Sequence, residues 1–186
     1  MSDALRDLPV SWAIAGGWAI DLALGRVTRP HADVDVAVFR DDQAALRAAL
    51  PGWTFEAVVG GARVPWPAGV QLELPIHEVY GRPAPGAAVV EFLFNERDGI
   101  DWVYRRDPAI RRPVARVLRA GPGGVRVLAP EVVLLYKSKA PRAADDHDFR
   151  VAAELLDAEA RTWLRAALGR RAPGHPWAAS LEAEAC

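Results

Sequence analysis

The chain of 186 residues is long enough for one well-packed domain, or a core with a small appendage, but hardly for two independent domains. Apolar residues make up 51% and charged residues 25%, which is an ordinary globular composition and argues against a wholly disordered chain. The net charge of −1, the lack of an apolar run near ~20 residues and the charges at the start of the chain predict a cytoplasmic protein that binds neither nucleic acid nor a membrane.

The first part of the chain predicts a helix, a strand and a second helix. Apolar residues from Trp12 to Leu24 stop at Gly25, which is typical of the end of a helix. The alternating, β-branched segment Asp33 to Phe39 predicts a strand. Asp41 then begins a short predicted helix that reaches Leu50.

The rest of the chain predicts further strands followed by helices. Residues 53–80 read as short strands on long loops, and Ala87 to Asn95 predicts a second well-defined strand. Pro130 begins a predicted helix, and two more helices follow. We therefore expect an α/β (α+β) fold with a mixed β-sheet and flanking helices. The predicted parts are a core over residues 1–128, a helical segment over 129–171 packed on it, and a flexible tail over 172–186.

Gly16 and Gly17 form the first feature with chemical meaning. Two glycines permit positive φ and a close backbone approach to a ligand, and the start of a helix offers free N–H groups to a phosphate. A structural turn explains a Gly-Gly pair equally simply, so the pair predicts a phosphate site only together with other features.

Asp33 and Asp35 form the second feature. Residues two apart in a strand point to the same face, so the two carboxylates lie side by side. At about 5 Å they repel each other by roughly 3 kcal/mol at an effective dielectric constant near 20, and a cation such as Mg²⁺ would relieve that repulsion. The alternative is an edge strand with a solvated acidic face.

Glu91 is the third feature, because it stands alone in the apolar strand. It either faces solvent at an edge or points into a site. If its strand is the neighbour of the Asp33–Phe39 strand, three carboxylates converge. That arrangement is typical of two-metal phosphoryl or nucleotidyl transfer, with Glu91 as a metal ligand, a general base or both.

Together these features resemble the aminoglycoside and lincosamide nucleotidyltransferases of the polymerase-β-like superfamily. The family pattern is a Gly-Gly or Gly-Ser pair before a helix, an acidic-x-acidic strand and a third carboxylate on a later strand. The match spans most of the chain and lies in these segments: Gly16 to Asp21, Leu24 to Arg29, His31, Asp33 to Asp35, Trp102 to Pro108, Ala129 to Lys139, Arg142, Asp145, and Asp148 to Phe149.

The resemblance implies transfer of a nucleoside monophosphate from a Mg²⁺-bound NTP to a hydroxyl of a small molecule, with release of pyrophosphate. It implies that Gly16, Gly17, Arg29 and Lys137 bind the nucleotide. Metal binding and catalysis would fall to the three carboxylates, namely Asp33, Asp35 and Glu91. Two Mg²⁺ ions and ATP, or another NTP, are the expected cofactor and co-substrate.

One segment departs from the family pattern. Ala143 and Ala144 follow Arg142 where related sequences carry a basic residue before the aspartate. For the adjacent acidic run, Asp145 to Asp148, we expect helix capping with a solvated acidic face rather than a metal cluster, since successive helical residues point in different directions.

Three functions remain open at this level. The first is an adenylyltransferase-like enzyme acting on a small hydroxylated acceptor, such as an aminoglycoside or lincosamide antibiotic, as in antibiotic resistance. The second is a minimal nucleotidyltransferase of the toxin–antitoxin type that modifies a protein partner. The third is a non-catalytic nucleotide-binding module. A homodimer is expected if the acceptor needs a larger pocket than this chain offers. Glu73 and Glu78 are weak candidates for binding a cationic acceptor.

Overall fold

The computed structural model describes residues 3–182. Its packing divides the chain into two compact units. The first contains the residues up to Ile14 together with His31–Val114, and the second contains Ala15–Pro30 together with the residues from Ala115 onward. The second unit therefore includes an early segment of the chain, whereas the predicted parts follow chain order. No helix in the described part of the chain is both long enough and apolar enough to cross a bilayer.

A mixed β-sheet forms the first unit. Its elements in chain order are α1 (Asp3–Arg6), β1 (Trp12–Ile14), β2 (Asp35–Phe39), α3 (Gln43–Ala49), β3 (Thr54–Val59), β4 (Ala62–Pro65), β5 (Glu78–Arg82), β6 (Val90–Asp98), β7 (Asp101–Val103) and β8 (Arg111–Pro113). The strands lie in the order β4-β3-β5-β6-β2-β1, and β7 joins β6 to β8. Among these pairs β2 and β6 are parallel, and the others are antiparallel. The expected mixed sheet is confirmed.

Aromatic side chains fill one face of this sheet. Phe92 is fully buried, and the Trp66 ring packs edge-on against Phe55 at 5.7 Å and Phe94 at 5.9 Å between ring centroids. The residues of β3, β5 and β6 that alternate with these point to the opposite face, because successive side chains in a strand alternate. That opposite face carries the polar residues described below.

A buried ion pair fixes the loop between β4 and β5. Arg40 donates to both carboxylate oxygens of Glu96, and its Nη1 donates to the carbonyls of Leu72 and Ile76. Since a buried guanidinium is tolerated only when its N–H groups are satisfied, these bonds hold the loop against the end of β2.

The second unit consists mainly of helices. Its elements are α2 (Gly16–Leu24), β9 (Leu118–Ala120), β10 (Arg126–Leu128), α5 (Pro130–Lys137), α6 (Ala143–Ala152), α7 (Ala158–Arg171) and α8 (Pro176–Glu182), and α4 (Val114–Val117) begins at its boundary. β9 and β10 form an antiparallel pair. The apolar residues of α5, together with Ile20, Leu164 and Leu168, are completely or almost completely buried.

Two parts of the chain differ from the sequence-based expectations. Trp12–Ile14 form a strand, and α2 begins only at Gly16, so the apolar run from Trp12 contains two elements rather than one helix. The expected tail contains α8, whose Trp177 is 4% exposed and stacks on Phe149 at 4.7 Å. Burial of this large ring stabilises the helix in a segment rich in Ala and Pro. Residues 183–186 of the expected tail lie outside the described part.

Candidate metal and nucleotide site

The parallel pairing of β2 and β6 places Asp35 directly beside Glu91. The sequence left open whether these strands are neighbours, and the register now shows that they are. Asp33 lies two residues before Asp35, and the Glu91 N–H donates to the intervening Val34 carbonyl at 3.4 Å. This bond fixes the segment between the two aspartates against β6.

The three carboxylates converge. One oxygen atom from each of Asp33, Asp35 and Glu91 lies within 4.8 Å of the others. Asp33 is exposed, and the other two are half-buried. Burial is the main cause that raises the pKa of Glu91 to about 7, and the neighbouring charges of Asp35, Glu78 and Asp33 raise it further. The charges of the neighbouring carboxylates therefore make ionisation of Glu91 less favourable.

This donor set fits a hard divalent cation. Mg²⁺ favours carboxylate oxygens and retains waters or phosphate oxygens in its remaining positions. A cation bound here would compensate the unfavourable proximity of the three charges, whereas a structural role gives no reason for keeping them together. We call Asp33, Asp35 and Glu91 the acidic triad.

A second polar group continues from the triad along the same face of the sheet. Tyr80 pairs in register with Glu91 on one side and with Glu56 on the other. Its hydroxyl donates to Glu78 at 2.5 Å, and the guanidinium carbon of Arg63 lies 3.4 Å from the centroid of its ring. Burial and the bond to Glu78 raise the pKa of Tyr80, so the hydroxyl stays protonated and remains a donor.

Gly16 and Gly17 lie in the second unit, at the first turn of α2. Gly16 adopts a φ of 60°, a left-handed conformation that glycine reaches far more readily than other residues. Ala15 precedes it in an extended conformation, so the chain turns sharply into the helix. The backbone conformation accounts for Gly16 whether or not a phosphate binds there.

Arg29 forms a bidentate ion pair in the second unit. Its Nε and Nη2 atoms each donate to Asp148 at 2.7 Å. Its hydrogen bond to Asp148 is the largest influence on the pKa of Arg29 and raises it. Thr28, the residue before it, donates from its backbone N–H and its hydroxyl to Asp21. These bonds fasten the segment after α2 to α2 itself and to α6.

Lys137 joins the same group of charges. Its Nζ lies 2.6 Å from Asp145 and 3.0 Å from Asp148. Burial alone would raise the pKa values of both carboxyls, but the hydrogen bonds from Arg142 and Lys137 to Asp145, and from Arg29 and Lys137 to Asp148, lower them overall. We call Arg29, Lys137, Asp145 and Asp148 the ion-pair cluster.

The ion-pair cluster corrects one expectation and confirms another. Asp145 is 3% exposed and Asp148 is fully buried, so the expected solvated acidic face is wrong for these two residues. Asp145 does cap its helix, since its carboxylate accepts from the Arg142 N–H in a capping box. Lys139, by contrast, is exposed.

Comparisons with known proteins agree with this architecture. Residues 1–65 match the family model of aminoglycoside-2''-adenylyltransferases. A comparison with curated protein sequences found no match.

Solved structures of two antibiotic-modifying proteins share the fold. The solution structure of the antibiotic-resistance factor ANT(2'')-Ia is 21% identical, covers 97% of this chain and 90% of its own, and has a TM-score of 0.58. The crystal structure of ANT(2'')-Ia in complex with adenylyl-2''-tobramycin is also 21% identical, covers 91% and 94%, and has a TM-score of 0.59. The lincomycin-bound lincosamide antibiotic adenylyltransferase LnuA is 14% identical, covers 83% and 92%, and has a TM-score of 0.55.

The fold is that of the antibiotic nucleotidyltransferases. The resemblance read from the Gly-Gly and Asp-x-Asp segments is confirmed, because the matched residues 1–65 contain both. The expected α+β fold is confirmed with it, and the expected class of enzyme is that of the family whose model residues 1–65 match. The roles of all the expected site residues stay predictions, namely Gly16, Gly17, Arg29, Asp33, Asp35, Glu91 and Lys137.

Sequence reasoning missed several members of the polar face of this nucleotidyltransferase fold. Glu78 was a weak candidate, but Tyr80, Glu56 and Arg63 carried no recognised signal. The alternating pattern from Glu78 to Arg82 contained the information that Glu78 and Tyr80 share a face. The partners across the sheet depend on the strand order, which the pattern of one strand does not contain.

Proposed function

We propose that the protein is a Mg²⁺-dependent nucleotidyltransferase that transfers AMP from ATP to a hydroxyl of an antibiotic, an aminoglycoside or a lincosamide. The observation that carries the proposal is the acidic triad, in which one carboxylate oxygen from each of Asp33, Asp35 and Glu91 lies within 4.8 Å of the others. The match of residues 1–65 to aminoglycoside-2''-adenylyltransferases supports the reaction class.

The triad supplies the residues that the reaction needs. Asp33, Asp35 and Glu91 would hold Mg²⁺, two ions in the proposed complex. When bound, Mg²⁺ neutralises charge on the triphosphate and lowers the pKa of the attacking hydroxyl. Glu91 is proposed as a metal ligand, a general base or both, because it lies directly beside Asp35.

Nucleotide binding by Gly16, Gly17, Arg29 and Lys137 remains part of the proposal. The backbone turn at Gly16 leads into a helix N-terminus, which favours a phosphate. Arg29 and Lys137 keep part of their side chains accessible, 22% and 13%, while the carboxylates orient them. A triphosphate would therefore meet cations that are already positioned.

The acceptor class is proposed from two sources. The related proteins are bound to adenylyl-2''-tobramycin and to lincomycin in their structures. In this chain, the carboxylates of Glu56, Glu78 and Glu91 surround Tyr80, which favours a cationic acceptor such as an aminoglycoside. The cytoplasmic location and the homodimer stay predictions.

Pyrophosphate release tests the proposal. The wild-type protein with ATP, Mg²⁺ and either tobramycin or lincomycin should release pyrophosphate and yield an antibiotic heavier by one AMP in mass spectrometry. Asp35→Asn should lower the rate by about 100-fold or more, because a metal ligand is lost. Asp98→Asn is the matched control, since Asp98 is an exposed carboxylate of the same unit, paired with Arg111 at the surface.

Other outcomes would contradict the proposal in distinguishable ways. ATP binding that is independent of Mg²⁺, with no pyrophosphate release, would favour a non-catalytic module. Incorporation of labelled AMP into a protein from a cell lysate, and into neither antibiotic, would favour the protein-modifying alternative. Unchanged ATP affinity and unchanged pyrophosphate release in a folded Asp35→Asn variant would remove Asp35 from the site.

A further inference from the structure

The Tyr80 ring holds a cation supplied by the protein itself. The guanidinium of Arg63 lies 3.4 Å above the ring centroid, which is close contact for a cation and an aromatic face. Arg63 comes from β4, the strand at the end of the sheet, and reaches across β3 to Tyr80 on β5. The contact therefore joins an edge strand to the middle of the polar face.

The surroundings of the ring favour a cation strongly. Glu56 on β3 and Glu91 on β6 are the cross-strand neighbours of Tyr80. Glu78, two residues before it on β5, accepts a hydrogen bond from its hydroxyl. Carboxylates thus lie on three sides of the ring. The Cβ atoms of cross-strand neighbours are about 5 Å apart, so a positive group on the Tyr80 ring is also close to the candidate base Glu91.

The Arg63 side chain is suited to leave this position. All four residues of β4 are exposed, and the turn that leads into the strand contains Gly60 and Gly61, both with positive φ. A long arginine side chain on an exposed strand has many alternative rotamers in water. Pairing with β3 holds the backbone of β4, so only the Arg63 side chain has to move.

We infer that Arg63 is a specificity-determining residue that occupies a subsite for a cationic group of the acceptor, and that an ammonium or guanidinium group of the acceptor must displace it from Tyr80. The inference rests on the proposed function, since it assigns a cationic group of the proposed acceptor to the Tyr80 ring beside Glu91. Arg63 then disfavours neutral acceptors, which gain too little on the ring to displace it. It also weakens binding of every cationic acceptor by the cost of its own release.

A purely structural role of Arg63 makes the opposite prediction. If stacking on Tyr80 serves only to stabilise the β3–β4 hairpin, removing Arg63 lowers the melting temperature and leaves acceptor affinity unchanged. If Arg63 competes with the acceptor, removing it strengthens the binding of cations whatever happens to the melting temperature.

Calorimetric titration with tobramycin, without ATP or Mg²⁺, tests the inference. Arg63→Ala should lower the Kd for tobramycin by about two- to fivefold, the equivalent of one exposed cation–π contact. Arg82→Ala is the matched control, because Arg82 carries the same charge on the same face of β5 as Tyr80. Its effect should be smaller than that of Arg63→Ala. Sucrose, a neutral probe, should bind to none of the proteins.

Two further variants test the subsite itself. Tyr80→Leu removes the ring, and Glu78→Gln removes an adjacent charge. Each is combined with Arg63→Ala, and each double variant should bind tobramycin more weakly than the Arg63→Ala single variant does. Circular dichroism must first show that each variant is folded, and Glu78→Gln, which keeps the shape of the side chain, tests the inference if Tyr80→Leu does not fold.

The inference is overturned if Arg63→Ala binds tobramycin no more tightly than wild type, if Arg82→Ala has an equal effect, or if neither wild type nor Arg63→Ala binds tobramycin. Failure of the proposed function is distinguishable, because the wild type would then lack Mg²⁺-dependent pyrophosphate release, whereas failure of this inference alone leaves that release intact.

Discussion

Half-buried or buried carboxylates occur in both the acidic triad and the ion-pair cluster, but the pKa values of Glu91 in the triad and Asp148 in the cluster shift in opposite directions. Asp148 accepts from Arg29 and Lys137, and its pKa is lowered. Glu91 has other carboxylates as neighbours, and its pKa is raised to about 7. Carboxylates paired with protein cations hold a structure together, whereas carboxylates that raise one another's pKa are typical of functional sites.

Asp148→Asn should have the largest effect on stability. The substitution removes the bidentate partner of Arg29 and one partner of Lys137 while keeping the size of the side chain. We expect a loss of about 2–4 kcal/mol in the free energy of unfolding, below the value for a fully buried pair because Arg29 is partly exposed. Urea denaturation measures it. Glu154→Gln, an exposed carboxylate of the same unit, is the control, and an equal loss there would refute the assignment.

Lys137→Met should have an intermediate effect and separates structure from nucleotide binding. Asp145 keeps Arg142 and Asp148 keeps Arg29, so the loss of stability should be about 1–3 kcal/mol. If Lys137 also contacts the triphosphate, the Kd for Mg²⁺–ATP rises in the variant at a temperature where it is fully folded. Lys139→Met, which changes an exposed lysine two residues away, should alter neither quantity. Unchanged ATP affinity in Lys137→Met would restrict this lysine to the ion-pair cluster.

The smallest expected effect is a dependence of stability on pH that originates in Glu91. Its pKa is raised from 4.5 to about 7, so the folded protein binds the proton more tightly than the unfolded chain does. In metal-free protein, the melting temperature should therefore fall by a few degrees as the pH rises from about 4.5 through 7. Glu91→Gln should abolish this slope, and Mg²⁺ should reduce it for the wild type. A wild-type slope of the opposite sign would show that a protein cation already neutralises the triad.

The ion-pair cluster should respond to pH in the opposite sense. The pKa of Asp145 is lowered from its ordinary value of 3.8, so its stabilising effect is present above that pH and is lost as the pH falls below it. Thermal melts between pH 2 and 5 of wild type and Asp145→Asn would reveal the difference. Equal slopes for the two proteins in this range would mean that Asp145 is not stabilised as an anion.

The triad was predictable because its signal is local. Strand periodicity predicts that Asp33 and Asp35 share a face, although β2 itself begins at Asp35, and Glu91 is recognisable as a lone carboxylate in an apolar strand. The sequence did not show that β2 and β6 are neighbours, and the structure shows that they pair in parallel. The helices α6 and α7 were predicted as well, since their apolar residues repeat along the sequence.

The ion-pair cluster was not predictable because its partners are remote. Arg29 and Asp148 are 119 residues apart, and no periodic pattern relates positions at that distance. The acidic run from Asp145 therefore looked solvated until its cations were located. The burial of Trp177 was not predictable for the same reason, because its stacking partner Phe149 lies in another helix. This contact holds α8 within the segment that was expected to be a tail.

The parallel pairing of β2 with β6 has a consequence for how the protein folds. Arg40 and Glu96, at the ends of these strands, are 56 residues apart, and the whole β3–β5 region must be looped out before Asp35 meets Glu91. Closing such a loop costs entropy before any contact compensates it, so the triad should form late. A chain still on the ribosome and ending before β6 would carry both aspartates without their partner. The three carboxylates would then converge only when the sheet is complete, and partly folded chains would lack the acidic triad.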